Sequence, residues 1–261
     1  MRERQMTQLG TARQLATELG GKEGNRAGAP IRRIFAVDPA VSRTPLARLL
    51  QQRDVGAGSP GGSVRLRLYV SLIWACVSEP YDTVRPSRVW ASLLNLDDPG
   101  RAGVRRIRSA LHELEERDFI RLERAGNSSR VTILSEEGNG DAYQPPWAAL
   151  QEGKPAERNE YFRVPNEVWT NGFIGDLDGP GMAMLLILLA ESRGERRKVW
   201  FSGSRASESY SVSSATRSRG IENLRSLGLV TVQQVAVNAS TSRNRTRNIY
   251  QVVLLPESKG R

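Results

Sequence analysis

Arginines spaced to meet an anionic polymer are the most chemically pointed feature of this chain. Arg101, Arg105, Arg106 and Arg108, with Ser109, fall in one short stretch, and Ser214, Thr216, Arg217, Ser218 and Arg219 in a second. Arg243, Arg245 and Arg247 alternate in a third. A guanidinium presents a rigid fork of donors that fits two phosphate oxygens or the O6 and N7 acceptors of guanine. At helical spacing, Arg101, Arg105, Arg106 and Ser109 lie on an outer face, with Arg108 at its flank. Arg105 and Arg106 are adjacent, so at most one of them reads a base. Arginines alternating on an extended loop suit a phosphate backbone or a narrow minor groove, where the potential is most negative. A solvated surface residue is the plain alternative for each one singly. Their clustering argues against it for the set.

Catalysis has little to draw on. His112 and Cys76 are the only histidine and cysteine, too few for a Cys/His zinc site or a histidine pair holding a nicking metal. His112 falls mid-helix and reads as a surface or edge residue. Asp97 and Asp98 are neighbours in a loop, which points them apart, and read as turn residues and helix-start charges. No Gly-x-x-x-x-Gly-Lys-Ser/Thr loop is present. Gly56-x-Gly58-x-x-Gly61 has dinucleotide-loop spacing but no preceding strand and no surrounding βαβ unit. No catalytic residue, metal or cofactor is expected, and the chain reads as a non-enzyme.

The net charge is +10, and lysine occurs only at positions 22, 154, 198 and 259, so arginine dominates the cations. A GC-rich coding sequence produces the same bias, so distribution says more than the total. Lys and Arg exceed Asp and Glu by 5 in residues 1–60, by 3 in 61–135 and by 6 in 161–261, whereas acids outnumber bases six to two in 136–160. Positive charge segregated around an acidic middle favours a polyanion partner. One cysteine excludes an internal disulfide, and the polar N-terminus shows no secretory leader pattern. The apolar run 182–190 is far short of the about 20 residues a membrane span needs. A cytoplasmic, nucleoid-associated protein is the expectation.

The elements that must position these arginines start with Ser213–Val230. Ile221, Leu224, Leu227 and Val230 recur at three-residue steps and line one side of a helix and its exit. Ser213 or Ser214 can cap its start, and Gly228 can stop it in the left-handed conformation. Thr216, Arg217, Ser218 and Arg219 then sit in the first turns, where the helix dipole favours phosphate. LVTVQQVAV, the polar loop NASTSRNRTRN and IYQVVLL follow as strand, basic loop and strand. The pattern Ser213-x-x-Thr216-x-x-Arg219-Gly220-Ile221-x-x-Leu224-x-x-Leu227-Gly228-Leu229-Val230 resembles the recognition helix of GntR-type and related winged-helix regulators. In those helices a buried Val usually stands where this chain has Arg217.

Residues 64–134 echo this organisation. Leu68, Leu72 and Cys76, with Tyr69, Ile73 and Val77, form one broad helical face. Pro86 opens a helix burying Val89, Trp90, Leu93 and Leu94, and the next helix turns Val104, Ile107, Leu111 and Leu114 inward. RLER, a turn at Gly126–Ser129 and RVTIL complete three helices and a two-stranded wing. Residues 136–160 read as an acidic Gly/Pro linker, and 1–60 as a mobile basic arm followed by a segment packing on the first domain. From Tyr161, an aromatic–x–x–Val–Pro start precedes the apolar helix Met182–Ala190, the edge strand KVWFS, a small helix around Ser207–Tyr210 and the Ser–x–x–Thr helix. This order, over about 161–230, resembles the N-terminal winged helix of theta-type plasmid and phage replication initiators, with Gly179, Pro180 and Gly181 in place of polar helix-starting residues.

The expected fold is mainly α with small β wings, an α+β chain with two winged-helix domains in tandem, 61–135 and 161–256, and a tail at 257–261. The resemblance implies sequence-specific binding of double-stranded DNA in replication initiation or transcription regulation. A homodimer and the replication or transcription machinery are the further partners it admits. The rival reading is a winged-helix scaffold for protein interaction, which has no need of arginines at 243, 245 and 247.

Overall fold

In the computed structural model, which describes residues 2–20, 28–51, 61–126, 128–192, 198–201, 209–237 and 245–254, the chain is an α+β protein with a continuous core and small antiparallel sheets. The chain runs α1 (Arg2–Gly20), β1 (Ala29–Arg32), a 3-10 turn at Arg33–Phe35 and α2 (Pro45–Leu50). A first unit follows: α3 (Gly61–Ala75), β2 (Asp82–Val84), α4 (Ser87–Leu93), α5 (Ala102–Glu115) and the hairpin β3 (Ile120–Ala125), β4 (Ser128–Ile133). Next come α6 (Pro146–Gln151), α7 (Ala156–Asn159), β5 (Tyr161–Val164), α8 (Glu167–Thr170) and α9 (Phe173–Asp176). A second unit contains α10 (Gly179–Glu191), β6 (Lys198–Val199), α11 (Ser214–Ser226) and the hairpin β7 (Val230–Val237), β8 (Arg245–Val252). The small helix expected around 207–210 falls largely outside the described residues, as do the loop glycines 56 and 58.

The two units share a strand arrangement. Their sheets have the orders β2-β4-β3 and β6-β8-β7, so in each the returning hairpin strand lies between its partner and a short strand from earlier in the unit. β2 is an addition to the expected two-stranded hairpin. Asp82, Thr83 and Val84 form a run too short to carry alternation, and β2 exists through its pairing with Arg130–Thr132.

Helix α3 is the hub. The expected face of Leu68, Tyr69, Leu72, Ile73 and Cys76 is buried, and Val77 is half-buried. The far side is buried as well: Arg65, Arg67 and Ser71 are 0%, 6% and 0% exposed. The end of α2 and Glu113 of α5 meet Arg65, α9 meets Arg67 and Trp169 of α8 meets Ser71, while α10 of the second unit also packs on α3. Trp74 of α3 stacks on Trp169 of α8, with centroids 4.8 Å apart and planes 6° from parallel. Both indole N–H groups are satisfied: Trp74 donates to Asn166 Oδ1 at 2.9 Å and Trp169 to Ser71 Oγ at 3.0 Å. β1 pairs antiparallel with β5 and ties the early segment to the start of the second half.

Residues 136–160 form part of this junction, contrary to the expected tether. Glu136 is fully buried and pairs with Arg32 at 2.5 Å. Arg32 also donates to Asn159 Oδ1 at 3.0 Å and to the Gln144 carbonyl at 2.8 Å. Burial pushes the Glu136 carboxyl up, while Arg32 pulls it down. The acidic composition of this stretch therefore includes the counter-ion of a buried guanidinium. The N-terminal helix is likewise packed. Ala12 and Ala16, one turn apart, are buried where α1 meets α4 and α8, and Arg13 Nε donates to the Asn171 carbonyl at 3.1 Å. Small side chains at that spacing let a helix lie close, a signal hidden by the weak leucine pattern.

Glu136→Gln should lower stability by about 3–5 kcal/mol, because it leaves a buried guanidinium without its counter-charge. Urea denaturation followed by circular dichroism measures this, and the wild type should unfold in one transition. Two separated transitions would mean that the halves are tethered units.

Candidate nucleic-acid interface

The first cluster rides on α5. Ile107, Ala110, Leu111 and Leu114 are buried against the core, with Val104 half-buried, and the helix packs on α3 and α4. Arg101, Arg105, Arg108, Ser109 and His112 are left exposed. The Asp98 carboxylate accepts the Ala102 N–H at 3.3 Å and so starts the helix, while Asp97 stays exposed. Ser109 Oγ donates to Glu113 Oε1 at 3.5 Å.

Arg106 departs from the expected outer face. It is half-buried and lies close enough to Arg67 to oppose its charge; burial first, then Arg106, lowers the Arg67 pKa to about 10. The helical reason is plain, since Arg106 stands three residues after Gly103 and four before Ala110, both of which face inward. The adjacent pair thus divides, with Arg105 to solvent and Arg106 toward the junction.

Further exposed cations surround α5. Arg85 and Arg88 flank the start of α4, and Arg121 and Arg124 lie on β3. Pro86, as a helix-start signal, and the strand period of β3 were the cues that could have found them. Arg130 is different: it pairs with Asp82 across β4 and β2.

The second cluster rides on α11. Ser213 is the cap, its hydroxyl accepting the Thr216 N–H at 3.1 Å, and the Thr216 hydroxyl shares a 2.9 Å hydrogen bond with it. Arg217 is half-buried and its Nη1 donates to the Val212 carbonyl at 2.9 Å, so it folds back on the approach to the helix. Thr216 and Arg217 therefore help hold the helix start, while Ser214, Ser218 and Arg219 are exposed. Arg225, seven residues after Ser218, joins the exposed side. Gly220 sets how closely α11 lies on α10: a Cβ there would stand 2.3 Å from the Pro180 carbonyl oxygen and 2.5 Å from Met184 Cγ. At the exit, Gly228 has φ +69 and the Leu229 N–H donates to the Leu224 carbonyl at 2.9 Å, a closure that turns the chain into β7.

The third cluster is rearranged. Arg243 lies outside the described residues. Arg245 and Arg247 belong to strand β8 instead of the loop. The Arg247 guanidinium sits 3.5 Å from the centroid of the Trp200 ring, a partner just beyond β6 that is 48% exposed. Trp200 was missed because KVWFS reads in sequence only as an edge strand; its contact with Arg247 is made across the sheet.

Among the described residues no group of three or more His, Cys, Asp or Glu is placed to hold a metal ion, and no helix is long and apolar enough to cross a membrane. No protein-family model matches the chain, and no curated protein or solved structure gives a significant match.

Arg247→Ala should lower stability by about 0.5–1 kcal/mol through loss of the cation–π contact. Arg219→Ala should stay within about 0.5 kcal/mol of wild type, as an exposed residue without a side-chain partner among the described residues does. Paired urea titrations distinguish the two.

Proposed function

We propose that the chain is a sequence-specific double-stranded-DNA-binding protein of two winged helices in tandem, 61–135 and 161–256. The observation that carries this reading is the repeated unit. Each has a core helix, a short strand, a helix with solvent-facing arginine and a hairpin whose returning strand is central in the sheet. Helices α5 and α11 are the groove readers, with Arg105 and Arg219 at base edges. Arg101 and Arg108 take phosphates beside α5, and Arg121 and Arg124 do so from the first hairpin. At the start of α11, exposed Ser214 and the positive end of the helix dipole suit a phosphate oxygen. Because α5 packs on α3, α3 on α10 and α10 on α11, the two readers are held by a chain of packed helices. A fixed offset between readers suits a target of two half-sites at one spacing. Control of a replicon's replication or of transcription is the role such binding would serve.

Selection from a random duplex library defines the preferred site. On that site Arg105→Ala and Arg219→Ala should each lose about 1–3 kcal/mol and relax preference at a single base pair, with little change on random duplex. Arg124→Ala should weaken both kinds of duplex alike and reduce the slope of log affinity against log salt by about 0.9. Inserting base pairs between the half-sites should abolish the tight complex. A flat salt dependence removes DNA from the account, and tolerance of any spacing removes the fixed offset.

A further inference from the structure

Where β1, β5 and the end of α3 meet lies a cavity of ≈ 140 Å³ that the interface above does not use. Ile73, Cys76 and Val77 give it an apolar wall, Tyr143 and Trp147 give aromatic walls, and among the described residues Arg163 of β5 is the one charged residue that lines it. The setting of Arg163 is unlike that of the inward arginines 32, 48, 65, 67 and 117, each of which donates to a carbonyl oxygen. Its guanidinium lies over the rings of Trp147 and Tyr161, 5.6 and 5.5 Å from their centroids. Among the described residues it has no hydrogen-bond or ion-pair partner. Stacking on a ring occupies the face of a guanidinium and leaves the N–H donors in its plane available at the edge. Tyr143 is 8% exposed, and its hydroxyl likewise has no hydrogen-bond partner among the described residues. Burial pushes that phenol well above its usual range, so it stays protonated and able to donate.

Size limits the guest. An apolar cavity of about 150 Å³ takes a benzene-sized molecule, so one ring fits and a nucleotide does not. We propose that the cavity binds a small aromatic monocarboxylate, its ring against Ile73, Cys76 and Val77 and its carboxylate on Arg163. The walls come from α3, β5 and the 143–147 segment, all parts of the junction between the two units, so an occupant stabilises that junction. The cavity is lined by none of the exposed residues of α5 or α11, and its occupancy is measured without DNA.

The test uses the full chain and benzoate as the probe, with benzamide and benzylamine as charge controls, by titration calorimetry and ligand-observed NMR. Benzoate should bind saturably at one site, benzamide more weakly and benzylamine not at all. Arg163→Gln should weaken benzoate by about tenfold or more, as loss of a charge-assisted hydrogen bond does. Val77→Phe, which fills the cavity, should abolish binding of benzoate and benzamide alike. Benzoate at one fixed concentration should raise the melting temperature of the wild type more than that of Arg163→Gln. Absence of benzoate binding, undiminished binding by either variant, or benzylamine binding as tightly as benzoate would overturn the proposal. If Arg163→Gln does not fold, Val77→Phe and the charge controls decide the question.

Discussion

The burial of α3 on every side imposes the constraint that the rest of the structure meets. That helix carries two arginines into the interior, and a guanidinium out of water must be surrounded by acceptors. Arg65 donates to the Leu49 and Gln51 carbonyls at the end of α2, at 2.8 and 2.7 Å, and pairs with Glu113 of α5. Arg67 donates to the carbonyls of Ile174 and Gly175 at 3.1 and 2.9 Å, at the end of α9. Both therefore meet carbonyls left without partners where a helix ends, at the negative end of its dipole. One helix thereby fixes the early segment, helix α5 of the first unit and the approach to the second.

This changes what the charge of the chain means. Net charge and arginine content suggest a polyanion partner, yet several of the arginines face inward. Arg48 donates to the carbonyls of Glu137 and Gly138, and Arg117 to those of Arg48 and Gln51. Arg32 and Glu136 form a buried pair of the same junction. These cations join segments distant in sequence and contribute little to an external field. Among the described residues, the exposed arginines of the two units are Arg85, Arg88, Arg101, Arg105, Arg108, Arg121 and Arg124 in the first and Arg219 and Arg225 in the second.

The helix chain α5–α3–α10–α11 gives the two units a common mechanical frame. Gly220 brings α11 onto α10, and the Trp74–Trp169 stack closes the far end of α3 on α8. The ≈ 140 Å³ cavity lies at the edge of this frame, against residues of α3 and β5. A ligand there touches the parts that hold the units together and leaves the exposed arginines alone.

Local order was legible in the sequence wherever one short stretch contained its own physical reason. The Ser213 cap, the buried Leu224 and Val230, the Gly228 exit and the inward face of α5 all follow from helical period and terminal chemistry. So did the small antiparallel sheets beside helices and the exposed placement of Arg101, Arg105, Arg108, Ser218 and Arg219. Arg106 could have been placed too, because its neighbours at three and four residues face inward. What only the tertiary structure decided depends on partners far along the chain. Glu136 belongs to a buried ion pair because Arg32 reaches it across 104 residues, and an acidic Gly/Pro stretch looks like a linker until that partner is known. Arg65 and Arg67 are buried because the ends of α2 and α9, distant from them in sequence, accept their hydrogen bonds. Arg247 looks like a loop cation until β8 brings it over Trp200. Composition and period report how a residue suits its own element. Whether an arginine meets water, a carbonyl or a ring is set by what that element packs against.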